Sequence, residues 1–409
     1  MEKNHIHPFT QRLLSTNTVF KEFPVIPMSE SYRDSLPHPG QTSDKHMLWT
    51  IFKENFGKDL WSVTMPVTFN EPLSFLQRLN EQLEYQELLR NANTCSDRYL
   101  RLALVFTHSY MMFTNTVNRI NKTFNPLLGE TYEFIDKDLH CIMEQVCHHP
   151  PICAFHAESN DYILEGNFQM KTELKLTSFK MAPIGETTVK LKSTGETFSL
   201  LKPKTRLYNY IVGKLYVWYE GSMTCVNLQT NDKLEIVFPK KGWTSRGDYL
   251  VDGTLTDASG KLVYNLEGNW KENLFLVEPV KKDAIQLSQR RPEPDNSDTQ
   301  FNFSQFAIQS NHLTAEMLAK LPPTDCRLRP DIRAYEYGNI KLAGEEKHRL
   351  EESQRLRRKA NSDAKKEWKP LWFEFRKDGD QICSRFKGDY WKVRKSGNWP
   401  QEILDLYNK

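Results

Sequence analysis

The sequence predicts an α+β fold, rich in β-structure, in which helices flank a large antiparallel barrel. Between Tyr132 and about Val277, short segments such as Thr188–Leu191 and Leu234–Phe238 alternate or run apolar, and glycine or Asn/Asp turns separate them. Apolar residues at helical spacing precede this region, and a highly charged helical segment follows it. Many short strands at this spacing suggest a closed or nearly closed barrel, filled by side chains or by a ligand.

Two segments precede the first strongly periodic helix. Residues 1–42 are polar and contain several prolines, so we expect a flexible N-terminal arm. Residues 43–62 predict a short helix that Ser43 or Asp44 caps and Gly57 ends. One face of that helix carries Leu48, Ile51, Phe52 and Phe56. This pattern fits either a docked core helix or a mobile cover.

The remaining segments follow in order. Residues 70–120 predict helices: one has Pro72 in its first turn, and a second runs from about Ser96 to Asn118. We assign residues 125–310 to the barrel, with Lys281–Gln300 as a surface loop before a strand at Phe301–Phe303. Residues 311–409 form a C-terminal subdomain. It contains a helix from Leu342 to about Lys359 and an aromatic segment, Trp368–Trp391, that we expect to pack on the barrel.

Composition limits the class of protein. A chain of 409 residues with 39% apolar residues can bury one large core or two moderate ones. The net charge of +3 gives no argument for a nucleic-acid partner. No run approaches the roughly 20 apolar residues of a membrane span, and no signal peptide is evident. The seven scattered cysteines fit reduced thiols in the cytoplasm.

The stretch Glu144–Pro151 places two histidines directly before two prolines. Proline restricts its own backbone and that of the residue before it, so the imidazoles lie on a chain with little freedom. A zinc site is conceivable, although no paired spacing appears and successive side chains of an extended chain point to opposite faces. Its soft ligands would come from Cys141, Cys147, His148, His149, Cys153 and His156. Anion binding and an ordinary structural turn are the other interpretations.

No catalytic motif accompanies the histidines. The sequence has no nucleophile elbow, P-loop or dinucleotide fingerprint, so we do not expect an enzyme. Cys147 is either a small tolerated residue or a thiol that the adjacent His148 makes reactive.

The charged helix carries Lys347, Glu351 and Arg355 at i, i+4 and i+8, on one face. Such a row is usually a solvated ladder of opposite charges, worth a few tenths of a kcal/mol per pair.

These motifs resemble those of one known family. Glu144–Pro151 (EQVCHHPP) resembles the EQVSHHPP fingerprint of the oxysterol-binding protein-related family, with Cys147 where serine is usual. Asn121–Glu133 and Asp325–Asp331 resemble two further signatures, and Pro66–Leu73 also matches. The resemblance runs from about residue 45 to about residue 395 and is greatest to short members without a pleckstrin-homology domain. By this resemblance, residues 43–409 of the chain would be the lipid-binding domain.

The resemblance implies a tunnel inside an incomplete barrel that holds one lipid, with residues 43–62 as its lid and Lys58 near the lipid headgroup. It implies a site for the headgroup of phosphatidylinositol 4-phosphate made by Lys122, Asn125, His148, His149, Lys347, Glu351 and Arg355. We therefore expect a lipid-transfer protein, without cofactor or metal, that exchanges sterol and this phosphoinositide while touching organelle membranes transiently. Phosphatidylserine as second cargo, a lipid sensor and, less favoured, a zinc-dependent enzyme are the alternatives.

Overall fold

The computed structural model describes residues 6–22, 32–40, 65–174, 178–209, 216–240, 249–378 and 381–408. The predicted lid, residues 43–62 with Leu48, Ile51, Phe52, Phe56 and Lys58, lies outside the described residues. Within the described ranges, no helix has the length and apolar character needed to cross a membrane.

The predicted flexible arm contains two helices, α1 (Pro8–Thr16) and α2 (Thr18–Glu22). Pro8 is the first residue of α1, where its missing N–H has no helical partner to lose. Leu13 and Phe20 are buried in an apolar cluster with residues of the C-terminal third of the chain. The prediction was therefore wrong for residues 6–22, because the polar composition does not reveal that a few apolar side chains find a distant partner.

In residues 65–124, a 3₁₀ turn, Val67–Phe69, precedes a strand at the position where the first turn of a helix was predicted. Strand β1 (Asn70–Ser74) contains Pro72 and pairs in parallel with β2 (Lys122–Phe124). Between them lie α3 (Phe75–Asn80), α4 (Glu87–Thr94) and α5 (Arg98–Met111). The predicted helix Ser96–Asn118 therefore ends at Met111, and a 3₁₀ turn, Met112–Thr116, follows it. Proline suits both a first helical turn and an edge strand, which explains the error at Pro72.

The described strands β3 to β16 form one 14-stranded sheet, whose pairings are antiparallel. They are β3 (Thr131–Asp136), β4 (Leu139–His148), β5 (Pro151–Glu158), β6 (Tyr162–Leu174), β7 (Ser178–Ile184), β8 (Thr187–Leu191), β9 (Thr197–Leu201), β10 (Lys204–Tyr208), β11 (Tyr216–Asn227), β12 (Lys233–Phe238), β13 (Leu250–Thr256), β14 (Leu262–Asn269), β15 (Asn273–Val277) and β16 (Ala284–Gln289). Strands β3 and β16 are the two ends of the described sheet, so the barrel is incomplete. The predicted β-rich α+β class is confirmed.

The main apolar core lies between the sheet and the helices before it. Inward residues of the strands, such as Leu164 and Ile236, cluster with Val105 and Phe106 of α5. Strands β4 and β5 are buried on both faces. Their other face, with Ile142 and similar residues, packs against aromatic side chains near the C-terminus. Burial on both faces explains the nearly continuous apolar character of the sequence before and after the histidines.

The C-terminal part is helical with one hairpin. It comprises α6 (Gln305–Gln309), α7 (Ala315–Lys320), α8 (Pro330–Glu336), α9 (Ile340–Asp363), the hairpin β17 (Phe373–Asp378) to β18 (Gln381–Phe386), and α10 (Tyr390–Ser396). Trp372 and Tyr390 pack on the barrel, as predicted for the aromatic segment. Two details were wrong. The expected loop at 281–300 contains β16. Residues 301–303 are not a strand, because Phe301 and Asn302 have left-handed φ angles of 57° and 54°.

Candidate functional site

The paired histidines lie at one end of the β4–β5 hairpin. His148 is the last residue of β4 and is opposite Pro151 of β5. His149 and Pro150 form the turn between the strands, and the peptide bond that joins them is cis. The two imidazole centroids are 4.5 Å apart. Both rings are therefore presented together at the rim of the barrel.

Helix α9 contacts both histidines through residues that the sequence reasoning missed. Nε2 of Gln354 lies 2.9 Å from Nε2 of His148, and a guanidinium N–H of Arg358 donates to Nε2 of His149 at 2.5 Å. Oε1 of Gln354 also accepts from the Leu128 amide at 2.7 Å. Positions 347, 351, 354 and 358 share a helical face at spacings of four and three. That alternation, instead of a strict spacing of four, was the signal that could have identified Gln354 and Arg358.

The predicted row on α9 divides into a buried pair and an exposed arginine. Nζ of Lys347 donates to Oε1 of Glu351 at 2.8 Å and to the Met65 carbonyl at 3.0 Å, and Lys347 is only 8% exposed. Arg355 pairs with Glu352 at 2.6 Å and its side chain is 57% exposed. Only the first two members of the row are therefore held together.

Arg355 instead lines a groove next to the histidines. The groove has a volume of about 580 Å³ and runs along the second half of α9 to Trp368, whose indole N–H donates to the Val146 carbonyl. Its charged lining consists of Arg355, Arg358, Lys359, Asp363 and Lys366. The lining has four cations and one carboxylate, and Glu352 offsets the charge of Arg355. The groove therefore keeps a net positive charge that attracts anions.

Lys122 and Asn125 belong to the segment that precedes Leu128 in the sequence, and Leu128 contacts the rim residue Gln354. Lys122 begins β2, and its carbonyl accepts from the Asn70 side-chain amide. The Asn125 carbonyl accepts from Arg329 at 2.9 Å. Both side chains are half-buried. The loop 125–130 thus reaches the histidines through Gln354, which binds the Leu128 amide.

A buried network fixes this loop. A carboxylate oxygen of Glu130 accepts from the Leu127 amide at 3.0 Å and from Arg329 at 2.8 Å, while Arg329 also pairs with Asp331 at 2.7 Å. Burial raises the pKa of the Glu130 carboxyl, and the Arg329 charge opposes that rise. Gly129 has a φ of +83°, and a Cβ there would lie 2.5 Å from Leu404. The motifs at 121–133 and 325–331 therefore meet, which their separation in sequence does not show.

The acidic residue of the histidine motif is structural. Glu144 accepts the amides of Leu371 and Trp372 at 2.7 and 2.9 Å, and so ties the C-terminal segment to β4. Burial raises the pKa of Glu144 to about 7, and those two amides oppose the rise.

The electrostatics of the rim favour an anionic ligand. Burial first, and then the charges of His149 and Arg358, lower the pKa of His148 to about 4, so its imidazole is neutral at pH 7 in the free protein. A phosphate placed between these groups would offset the repulsion and favour the protonated ring.

The soft ligands of the hypothetical zinc site are divided between the two faces of the sheet. Cys141 and Cys153 face the main core, and the Cys153 thiol donates to Oε1 of Gln145. Cys147 packs in the cluster on the other face, and His156 stacks on Phe386. In the ranges that the structure describes, no group of three His, Cys, Asp or Glu side chains is arranged to hold a metal ion. Burial raises the thiol pKa of both core cysteines.

Comparison with known proteins assigns the family. A family model described as "Oxysterol-binding protein" matches residues 47–395. The chain belongs to the oxysterol-binding protein family. This confirms the resemblance on which the predicted tunnel and headgroup site depend.

Solved structures of family members share the fold. The Osh1 ORD domain in complex with cholesterol superimposes with a TM-score of 0.83 at 30% identity, covering 96% of this chain and 99% of that chain. The Osh3 ORD of Saccharomyces cerevisiae in complex with PI(4)P gives a TM-score of 0.81 at 30% identity, covering 92% and 99% of the two chains.

Curated relatives agree with this assignment. Oxysterol-binding protein-related protein 1 of Mus musculus is 37% identical over 389 residues, which are 84% of this chain and 41% of that protein. Protein 1B of Arabidopsis thaliana is 37% identical over 385 residues, which are 92% of this chain and 77% of that protein. The chain thus spans less than half the length of the mouse relative.

Proposed function

We propose that this protein extracts sterol and phosphatidylinositol 4-phosphate from membranes and exchanges one for the other. The observation that carries the proposal is the histidine pair at the barrel rim, which Gln354 and Arg358 contact beside a basic groove. Related ORD domains are solved with cholesterol, ergosterol and PI(4)P, which supports both cargoes.

Each proposed headgroup residue has a chemical role. Arginine forks bind phosphate oxygens in pairs, so Arg355 and Arg358 would hold the phosphate that enters the groove. His148 and His149 would donate to it when protonated. Lys347 adds a charge that Glu351 orients, and Glu351 can also accept from inositol hydroxyls. The side chains of Lys122 and Asn125 would complete the site from the loop before Leu128.

The barrel interior supplies the apolar part of the site. Burying some twenty lipid carbons is worth on the order of 15–20 kcal/mol relative to water, which is close to what the donor bilayer already provides. Transfer therefore needs an interior about as apolar as a membrane. If both lipids occupy this interior, they compete for it. A concentration gradient of one lipid between two membranes can then drive transport of the other lipid against its own gradient. Phosphatidylserine in place of sterol, and lipid sensing without net transfer, remain alternatives.

The protein would act without catalysis, in the cytosol, as a transient peripheral partner of organelle membranes at contact sites. No disulfide bond joins any two of the seven cysteines, all of which lie in the described ranges, and this is compatible with a reducing compartment.

The histidines provide the central test. His148→Ala combined with His149→Ala should abolish extraction of the phosphoinositide from liposomes and leave sterol extraction largely intact. His348→Ala is the matched control, because His348 lies exposed on α9. Equal loss of both cargoes, or no loss, would refute this division between headgroup and tail sites.

We also propose that residues 43–62 act as a lid, with Lys58 near the headgroup. Ile51→Ser with Phe52→Ser would remove half of its apolar face. We expect the same melting temperature and faster loss of bound lipid in gel filtration. A double variant that retains and transfers lipid like the wild type would make this segment only a structural element. Truncation is a poorer test, because it would also remove the buried Leu13 and Phe20.

A further inference from the structure

Two ionisable side chains that the headgroup site does not use are carried by elements that contact each other at the inner face of the sheet, namely helix α5 and the end of strand β9. His108 is on α5, which packs against the inner face of the sheet. Lys202 follows β9, and its Nζ lies 5.9 Å from the ring centroid of Phe168 on β6. Phe168 in turn packs on Phe75 of α3 at 5.1 Å. The ammonium group is therefore placed among residues of the barrel wall and of the helices that line it.

His108 is buried, and its ring has no ordinary hydrogen-bond partner among the described residues. It is 1% exposed, and neither ring nitrogen makes a hydrogen bond of standard geometry to the described part of the chain. Burial and the nearby Lys202 charge lower the pKa of His108 to about 3, and only the Gln82 carbonyl opposes this. The ring is thus neutral at pH 7 and has one N–H to donate and one nitrogen to accept.

Among the described residues, Lys202 is a cation without a counter-charge. None of their carboxylates acts on the pKa of its ammonium group. Burial alone lowers the pKa of Lys202 to about 8, so the ammonium is still mostly protonated at pH 7. Its side chain is partly accessible, and the Phe168 ring near its Nζ packs against the main apolar core. Buried charges are normally paired, so this one favours a ligand that brings the opposite charge.

We propose that Lys202 and His108 bind the acidic group of a single-headed anionic lipid, a carboxylate or a sulfate, that enters the barrel acid-first. Lys202 supplies the charge and His108 a second donor, while the apolar walls hold the lipid body. A neutral hydroxyl at the same place would gain only an ordinary hydrogen bond, whereas an anion gains a charge-assisted one. This inference rests on the proposed function, because it uses the same lipid-binding interior.

Matched pairs of probes test the charge preference. Oleate is compared with oleyl alcohol, and cholesterol sulfate with cholesterol, by displacement of a bound fluorescent sterol. We expect at least one acidic probe to bind about tenfold or more tightly than its neutral analogue. Tighter binding of oleate than of oleyl alcohol identifies a carboxylate as the ligand group. Tighter binding of cholesterol sulfate than of cholesterol identifies a sulfate. Equal affinities within both pairs would overturn the proposal. If the wild-type protein nonetheless extracts sterol and phosphoinositide, the proposed function stands without this inference.

Variants locate the anion. Lys202→Met should abolish the preference and leave the neutral probes unchanged, and Lys202→Arg should keep it. Lys190→Met, at an exposed position on β8, is the matched control. A preference that survives in Lys202→Met, or that disappears in the His148→Ala/His149→Ala protein instead, would place the acid at the rim and refute the proposal. If Lys202→Met does not fold, the wild-type comparison within each pair still decides.

Discussion

Replacing Arg358 by alanine should separate phosphoinositide binding from stability. Arg358 is exposed on α9, and its guanidinium donates to His149 at the turn of the β4–β5 hairpin. A contact this exposed contributes less than about 1 kcal/mol to folding. In the complex, the same guanidinium would face a phosphate that His148 and His149 also approach.

The magnitude follows from that contact. A charge-assisted hydrogen bond to phosphate is worth roughly 1.5–3 kcal/mol, and about 1.4 kcal/mol is a factor of ten in affinity. Arg358→Ala should therefore weaken phosphoinositide binding about 10- to 150-fold. The loss is partly offset, because the Arg358 charge also lowers the pKa of His148. Without that charge, His148 protonates more readily and donates to the phosphate.

Liposome extraction of both lipids, with thermal melts, measures the effect. Arg376→Ala, an exposed arginine on the β17–β18 hairpin, controls for the loss of one surface charge. We expect normal sterol extraction and an unchanged melting temperature for both variants. Phosphoinositide extraction by Arg358→Ala at the level of the Arg376→Ala control would refute the proposed role of α9.

Three further outcomes are expected. Lys347→Ala should lower the unfolding free energy by about 1–3 kcal/mol in urea titrations. The double variant Lys347→Ala/Glu351→Ala should lose less than the sum of the two single variants, and a loss equal to that sum would show that the pair is not coupled. Phe20→Ala should lower the unfolding free energy by about 3–5 kcal/mol, because its side chain is buried. An unchanged unfolding free energy would show that residues 6–22 do not pack on the rest of the protein. Phosphoinositide binding should strengthen when the pH falls from about 7.5 to about 5.5, because a bound phosphate raises the depressed pKa of His148 and so favours the protonated ring that binds it. His148→Gln should make binding depend less on pH.

The helix face at the rim shows what sequence spacing can and cannot establish. The row Lys347, Glu351 and Arg355 was predicted from a constant interval of four, and the pair Lys347–Glu351 is present. The histidines, however, meet Gln354 and Arg358. At 3.6 residues per turn, an interval of four drifts around the helix. Which side faces the hairpin depends on how α9 packs, and no local pattern encodes that rotation.

Errors in the fold have the same origin. Residues 301–303 read as a strand, yet Phe301 and Asn302 adopt left-handed φ angles. Residues 6–22 read as an arm, yet Leu13 and Phe20 are buried. In both places, contacts with distant residues override the local preference that sequence reasoning uses.

By itself, the sequence determined the β-rich class, the family and the motifs at 121–133, 144–151 and 325–331. Periodicity and motifs are local properties of the chain, so they can be read without coordinates. The tertiary structure decided that Arg329 joins the first motif to the third, that Glu144 anchors the C-terminal segment, and that the helix with His108 packs on β9, the strand before Lys202. In each case the residues involved are distant in sequence, and only the packing of separate elements against the two faces of the sheet brings them together.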